Sequence, residues 1–497
     1  MRLKRASGEP AGRANPLNSV AARNHSAMPL SRRQLLARSG SVALAFAGLR
    51  AFSGHNGLFA DEPVAVGYGP LVNDPNGILD LPAGFSYRLI STSGDTMDDG
   101  LVVPGAFDGM AAFAGADGRV ILVRNHELDV MPERGAFAKD PAAVAKLGDK
   151  VYDPGTAGVP TQGGTTNLIW NPLTGKREQE FLSLAGTARN CAGGPTPWGS
   201  WISCEETMWS SQRPLSQQPP GIARVHGWCF EVPSTATGPV APVPLTGLGR
   251  FNHEAIAIDP RTGVVYLTED RPNGLIYRFI PKTPGRLLDG GRLQALAAID
   301  RQTLDTRNWA KTGGKVPTGE AMAVRWIDLE QTDSPDDNLR VQGANQGAAR
   351  FARGEGMWFD RGTLWFTCTS GGELQHGQVW RYRPSPAEGT AGEASQPGSL
   401  ELFIEPNDPS AVESCDNLTV APWGDLILCE DAGGGGVVPG QRLVGVTPQG
   451  RCYQLGLNAQ NKSEFAGVCF SPDGATLFAN IQDGPARTLA ISGPWTK

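Results

Sequence analysis

The sequence predicts an all-β chain folded as a six-bladed β-propeller with long loop insertions and a central funnel. One hairpin plan recurs six times along the 497 residues, and no amphipathic helical periodicity separates the copies. In addition, 64 Gly and 39 Pro make the chain dense in turns while charged residues stay near 19%, a balance foreign to a disordered chain.

Aligned on the turn glycine, the copies run in order. They are FDGMAAFAGADGRVILVRNHE about Gly118, NCAGGPTPWGSWISCEE about Gly199 and NHEAIAIDPRTGVVYLTED about Gly263. GEGMWFDRGTLWFTCTSGG about Gly362, CDNLTVAPWGDLILCED about Gly424 and FAGVCFSPDGATLFANIQD about Gly474 follow. Each leads from a polar start through an apolar strand to a Gly able to take positive φ, then back along β-branched and aromatic residues. The turn glycines lie 50 to 99 residues apart, more than four strands require. The surplus is expected in loops: near 207–222, over 281–350, and at 384–399, where PSPAEGTAGEASQPGS reads as a flexible tether. Only DPAAVAKLGDK reads as helical.

Ahead of the repeats, residues 1–60 hold nine Lys or Arg and one acid, Glu9. Ser31-Arg32-Arg33-Gln34-Leu35-Leu36 followed by a short apolar run is a twin-arginine export pattern, with Ala60 a fitting cleavage point. Met28 is a candidate start that would make residues 1–27 an over-extended reading. Residues 61–497 are then expected to form a single propeller domain, a monomer in the periplasm or outside the cell, delivered by the twin-arginine translocase. No run is long and apolar enough for a membrane helix. Beyond residue 60 come 35 basic and 49 acidic residues, a net charge of −14 that repels nucleic acid and attracts divalent cations.

The open ends of the hairpins gather the chemistry. Asp108, Cys191, Glu254, Glu355 and Asp416 precede the first strands. Glu205-Glu206, Glu269-Asp270 and Glu430-Asp431 follow the second, with Asn125-His126-Glu127 in the first hairpin and Thr369-Ser370 in the fourth. Any single acidic pair reads equally well as a solvated rim. Three pairs in phase point to bound cations, because clustered carboxylates repel one another unless neutralised. Asp, Glu and Asn oxygens suit Ca²⁺, whereas Cys191, on a loop flanked by glycines, suits iron or zinc; its plainer reading is a buried or disulfide-bonded Cys. His126 and His253 read as ligands, as bases, or as histidines satisfied by backbone. Arg353, two residues before Glu355, suits a bidentate grip on phosphate or a plain salt bridge. Cys204, Cys368, Cys429 and Cys469 sit in apolar runs and read as buried free thiols.

Together RNHE, NCAGGPTPWGSWISCEE, GRFNHEAI, RGEGMWF and CDNLTVAPWGDLILCED resemble the PhoX-type alkaline phosphatases, over most of the chain beyond residue 62. The resemblance implies a funnel with two iron ions (Fe³⁺) and several calcium ions (Ca²⁺) that hydrolyses phosphate monoesters. It implies Cys191 and Glu254 as iron ligands, with Cys191 bridging the pair or bound to one member. Glu355 becomes a calcium-side or bridging carboxylate, and Arg353 the phosphate-binding arginine. Glu205, Glu206, Asp270, Asp416 and Glu127 become further ligands. On that resemblance Arg353, Glu355 and Glu254 are expected to form the catalytic group, and the nucleophile is expected to be an oxo or hydroxide held by the ions. No nucleophile-elbow serine is present. Two rival readings are a metal-dependent lactonase-like propeller hydrolase, and a non-catalytic propeller stabilised by Ca²⁺ that binds a carbohydrate or protein.

Overall fold

The computed structural model describes residues 66–312, 315–433 and 436–495; the export pattern and Met28 lie outside the described residues. All six hairpins form. Their antiparallel strand pairs are Phe107–Ala114 with Val120–His126, Asn190–Pro195 with Ser200–Glu205, and His253–Ile258 with Val265–Glu269. Gly354–Asp360 pairs with Thr363–Cys368, Cys415–Val420 with Leu426–Glu430, and Phe465–Phe470 with Leu477–Ile481. Every turn glycine holds positive φ, from 70° at Gly474 to 103° at Gly424, a region where a Cβ is disfavoured.

The arrangement is all-β and propeller-like. The first strand of each hairpin packs beside that of the next, and Phe465–Phe470 closes the circle against Phe107–Ala114. Small residues permit this convergence: a Cβ at Gly109 would stand 2.6 Å from Ala192 Cα, and one at Gly356 2.6 Å from Asn417 Cα. The axial cavity lined by Gly109, Ala192, Ala255, Gly356, Asn417 and Gly467 is only 20 Å³, room for about one water. The open end is therefore a funnel with a closed floor.

Among the described residues, hydrogen bonding extends these strands outward into five sheets, of four, three, nine, six and four strands. The nine-stranded sheet arises inside the segment expected to be loop. Residues 281–350 contain the strands Gly291–Ala298 and Ala321–Asp328 and the helix Leu339–Asn345. Ala321–Asp328 pairs with Ser399–Ile404 and so joins the third set of strands to the fourth. In Ala321–Asp328 only Val324 and Ile327 are buried, which leaves little periodicity to read. The expected tether is also pinned. Glu388 accepts hydrogen bonds from the Tyr266 and Tyr382 hydroxyls and pairs with Arg278, which also holds Glu393. The expected helix is present as Ala143–Leu147.

The N-terminal strands of the described chain close two sheets, Leu79–Pro82 pairing with Cys452–Asn458 and Ser86–Thr92 with Arg487–Ser492. Between neighbouring sheets lie the apolar layers, for example Ile202, Ile256, Leu267, Tyr277 and Phe279, or Tyr266, Phe351, Phe366 and Trp380. Each such side chain contributes roughly 1.5–3 kcal/mol by leaving water. All eight cysteines are free, and Cys204, Cys368, Cys429 and Cys469 are buried.

Candidate metal centre

Strand register builds the site. The second residue of the inner strands is Asp108, Cys191, Glu254, Glu355 and Asp416 in turn, and Ala466 in the last. In each strand the pairing register shifts at this point, as between Asn190 and Gly193 or Gly354 and Met357. Such bulges bend a strand and re-aim its side chains. Side chains of the preceding hairpin then fix the segment. Asn125 donates to the carbonyls of Cys191 and Ala192 (2.9 and 2.7 Å), Thr268 to that of Glu355 (2.6 Å), Thr367 to that of Asp416 (2.6 Å) and Asn480 to that of Asp108 (2.7 Å). Each bond contributes about 1 kcal/mol. Cys191 thus lies in a strand, which corrects the loop expected from its glycines. Gly193 and Gly194 are needed because a Cβ there would collide with the carbonyls of Ile202 and Ile256.

Alternation along the chain separates the acidic pairs, since successive residues of an extended segment leave opposite faces. The first member turns into the sheet. Glu205 accepts hydrogen bonds from His226 Nδ1 (2.7 Å) and from the amides of Ala188, Gly227 and Trp228 (2.9, 2.8 and 3.1 Å). Glu269 accepts from the Tyr277 hydroxyl, and Glu430 pairs with Arg442. The second members, Glu206, Asp270 and Asp431, join the funnel, as does Glu127 after the first hairpin. Glu205 therefore stands apart from the other expected ligands, its acceptor positions filled. His126 bonds to Gly105 O and Thr166 Oγ1, and His253 to Gly249 O; neither touches the funnel acids through these contacts.

Within the funnel, Cys191 Sγ lies 3.2 Å from Glu254 Oε1 and 3.5 Å from Asp108 Oδ2. Three sets of donor atoms each fall within 4.8 Å: Asp108, Glu127 and Cys191; Cys191, Glu206 and Glu254; Glu254, Glu355 and Asp416. Cys191 and Glu254 each belong to two sets, so the donors form a continuous arc. Arg189 bridges Glu127 (2.5 Å) and Glu206 (2.7 Å). Arg353 holds Asp270 through two 2.8 Å hydrogen bonds and reaches Glu355 at 2.9 Å. Both arginines take left-handed φ, 47° and 54°, two residues ahead of a funnel residue. Glu464 occupies the same offset before Ala466 and accepts a hydrogen bond from Gln482 at 2.5 Å. Arg189 and Glu464 escaped the sequence reading, yet the offset of Arg353 from Glu355, applied to every repeat, finds both.

Burial first, then repulsion by neighbouring carboxylates, pushes Asp108, Glu254, Glu355 and Glu464 well above the usual carboxylate range. The same causes push Glu206 and Asp416 up to about 8. Burial and the adjacent Asp108 and Glu254 raise the Cys191 thiol too. Asp108 Oδ1 and Glu254 Oε2 are buried without a hydrogen-bond partner, which costs roughly 1–3 kcal/mol per group, more when charged. These orphaned oxygens, in a donor set of hard carboxylates and one thiol, fit bound cations.

An all-β propeller-like scaffold that turns such a donor arc inward is suited to holding cations at one end of its axis. Residues 66–484 match the family described as alkaline phosphatase PhoX, and the chain belongs to that family of metal-dependent phosphatases. Among solved structures, Pseudomonas fluorescens PhoX in complex with vanadate, a transition state analogue, aligns with TM-score 0.61 at 18% identity, over 86% of this chain and 97% of that one. A luciferin-regenerating enzyme aligns at 9% identity and TM-score 0.38 over 82% and 96% of the two chains. A gluconolactonase from Xanthomonas campestris does so at 12% and 0.34 over 86% and 99%. The last two likenesses are too loose to carry an argument. No curated protein sequence matches.

Proposed function

We propose that the funnel hydrolyses phosphate monoesters with iron and calcium as its ions, a reading carried by the arc of donor sets that share Cys191 and Glu254 beside Arg353. The thiolate of Cys191 with Glu254 suits iron, and the oxygen donors Glu355, Asp416, Glu206, Asp270 and Glu127, with Asp108, suit calcium. When bound, such ions neutralise phosphate charge and lower the pKa of a bound water. The chain supplies the rest. Arg353 carries a permanent charge whose Nε and Nη2 are held at Asp270 and Glu355, so that the guanidinium is fixed in place to stabilise phosphate charge during transfer. Glu254 and Glu355 set the place of the reacting group, and the closed floor leaves only the mouth for substrate and water. The family match and the likeness to a PhoX solved with vanadate, a transition state analogue, support phosphoryl chemistry.

The ring of inner strands reads as six blades, the third and fourth sharing the nine-stranded sheet. Residues 61–497 read as one monomeric domain, exported by the twin-arginine translocase to the periplasm or beyond, as the basic stretch at 31–36 supports. The test of function is hydrolysis of an aromatic phosphate monoester at alkaline pH, with Ca²⁺ and after chelation. Turnover lost on chelation is expected; a folded, metal-loaded sample without turnover overturns the reading.

A further inference from the structure

A second donor cluster lies behind the funnel wall. Cys204, in the strand Ser200–Glu205, and Cys229, in the strand Cys229–Pro233, are direct cross-strand partners. The adjoining Glu205 amide donates to the Trp228 carbonyl at 3.0 Å. Residues 205 and 228 are therefore the hydrogen-bonded kind of pair, and 204 and 229 the other kind, whose side chains approach most closely. The two Sγ atoms are 3.7 Å apart. A ring nitrogen of His253 lies within 4.8 Å of both, and all three residues are buried. His253 Nε2 is 2.9 Å from the Gly249 carbonyl; a carbonyl only accepts, so Nε2 carries the proton and Nδ1 presents a lone pair. That Nδ1 is buried without a hydrogen-bond partner.

We propose that Cys204, Cys229 and His253 form a structural zinc site, separate from the funnel. Two thiolates and a neutral imidazole cancel the charge of Zn²⁺, as a core position among Ile202, Leu245, Leu248, Phe251 and Tyr277 requires. Two sulfurs about 2.3 Å from an ion at a near-tetrahedral angle stand about 3.7 Å apart, the separation seen here. The Nε2 bond to Gly249 O is the outer hydrogen bond that orients a metal-ligating histidine. The ion would tie the three-stranded sheet to the inner strand His253–Ile258, one residue from Glu254 but on the opposite face of that strand.

The test is elemental analysis of the full chain purified without chelator, beside Cys229→Ala, with intact-mass measurement under non-reducing conditions. One zinc per chain is expected, lost in C229A while the funnel ions are retained. If C229A fails to fold, zinc-edge X-ray absorption on the unaltered protein decides, with two sulfurs and a nitrogen expected around the ion. A chain lighter by two hydrogens, with Cys204 and Cys229 joined as a disulfide, overturns the proposal. So do free thiols that take up no zinc on incubation with the metal.

Discussion

Glu205 and Glu206 are neighbours in the chain and have opposite surroundings. Glu205 faces four donors inside the sheet, whereas Glu206 meets two, Arg189 and the Asn252 amide, and faces Glu127 and Asp270 in the funnel. The contrast holds between the two regions at large. Behind the funnel wall, buried acids are matched: Glu430 by Arg442, Glu180 by Arg124 and Arg177, Asp153 by His226. On the wall itself, acids face acids, and two carboxylate oxygens have no partner. A fold that satisfies its buried charges a few ångströms away leaves them unsatisfied here because cations complete them.

The largest expected effect is on the funnel side. Glu254→Gln, which removes a charge shared by two donor sets, should lose the iron proposed there and abolish measurable turnover, seen by elemental analysis and phosphate-release assay together. Retained iron with normal turnover would place the chemistry elsewhere. Next comes Arg353→Ala, expected to lower kcat by about 10²–10³, the effect of removing one charge-stabilising donor, with the metal complement unchanged. Loss of metal instead would make Arg353 a structural partner of Asp270 and Glu355.

On the sheet side, Glu205→Gln should destabilise the protein by about 3–5 kcal/mol, the usual consequence of removing one partner of a buried ion pair. Metal content per folded chain should not change. A folded E205Q chain short of metal would erase the distinction between the two acids.

A pH dependence also separates the regions. Burial alone would lower the pKa of His226, but Glu205 and Asp153 raise it to about 9. Its stabilisation is complete below pH 6.5, the ordinary histidine value, and is lost as pH rises to about 9. Glu206 and Asp416, raised to about 8 from 4.5 and 3.8, stay protonated in the cation-free fold while the unfolded chain ionises. Cation-free stability should therefore fall as pH climbs from about 4 to about 8. Calcium bound as proposed would compete with those protons, would bind more tightly as pH rises and should cancel this second loss only. Thermal melts across the range, with chelator and with Ca²⁺, check it; calcium-independent curves would contradict it.

The hairpins were legible because each copy sets apolar strands on both sides of a turn glycine, and Cys191, Glu254, Glu355 and Asp416 all fall seven to nine residues ahead of that glycine. Parity was legible too, though it went unread: counting outward from the turn puts Glu205 and Glu206 on opposite faces. Ala321–Asp328 was not, because half-exposed outer strands bury too few residues to show a period. Nor was the pairing of Ser86–Thr92 with Arg487–Ser492, which joins residues some 400 positions apart through backbone bonds that no side-chain pattern encodes.

Anomalous diffraction at the iron and calcium edges, from crystals grown without chelator, tests the central claim most directly. Iron peaks within bonding distance of Cys191 Sγ and Glu254, with calcium peaks among Glu355, Asp416 and Asp108, are the expected result. A well-ordered funnel with no anomalous peak beside those side chains would contradict it.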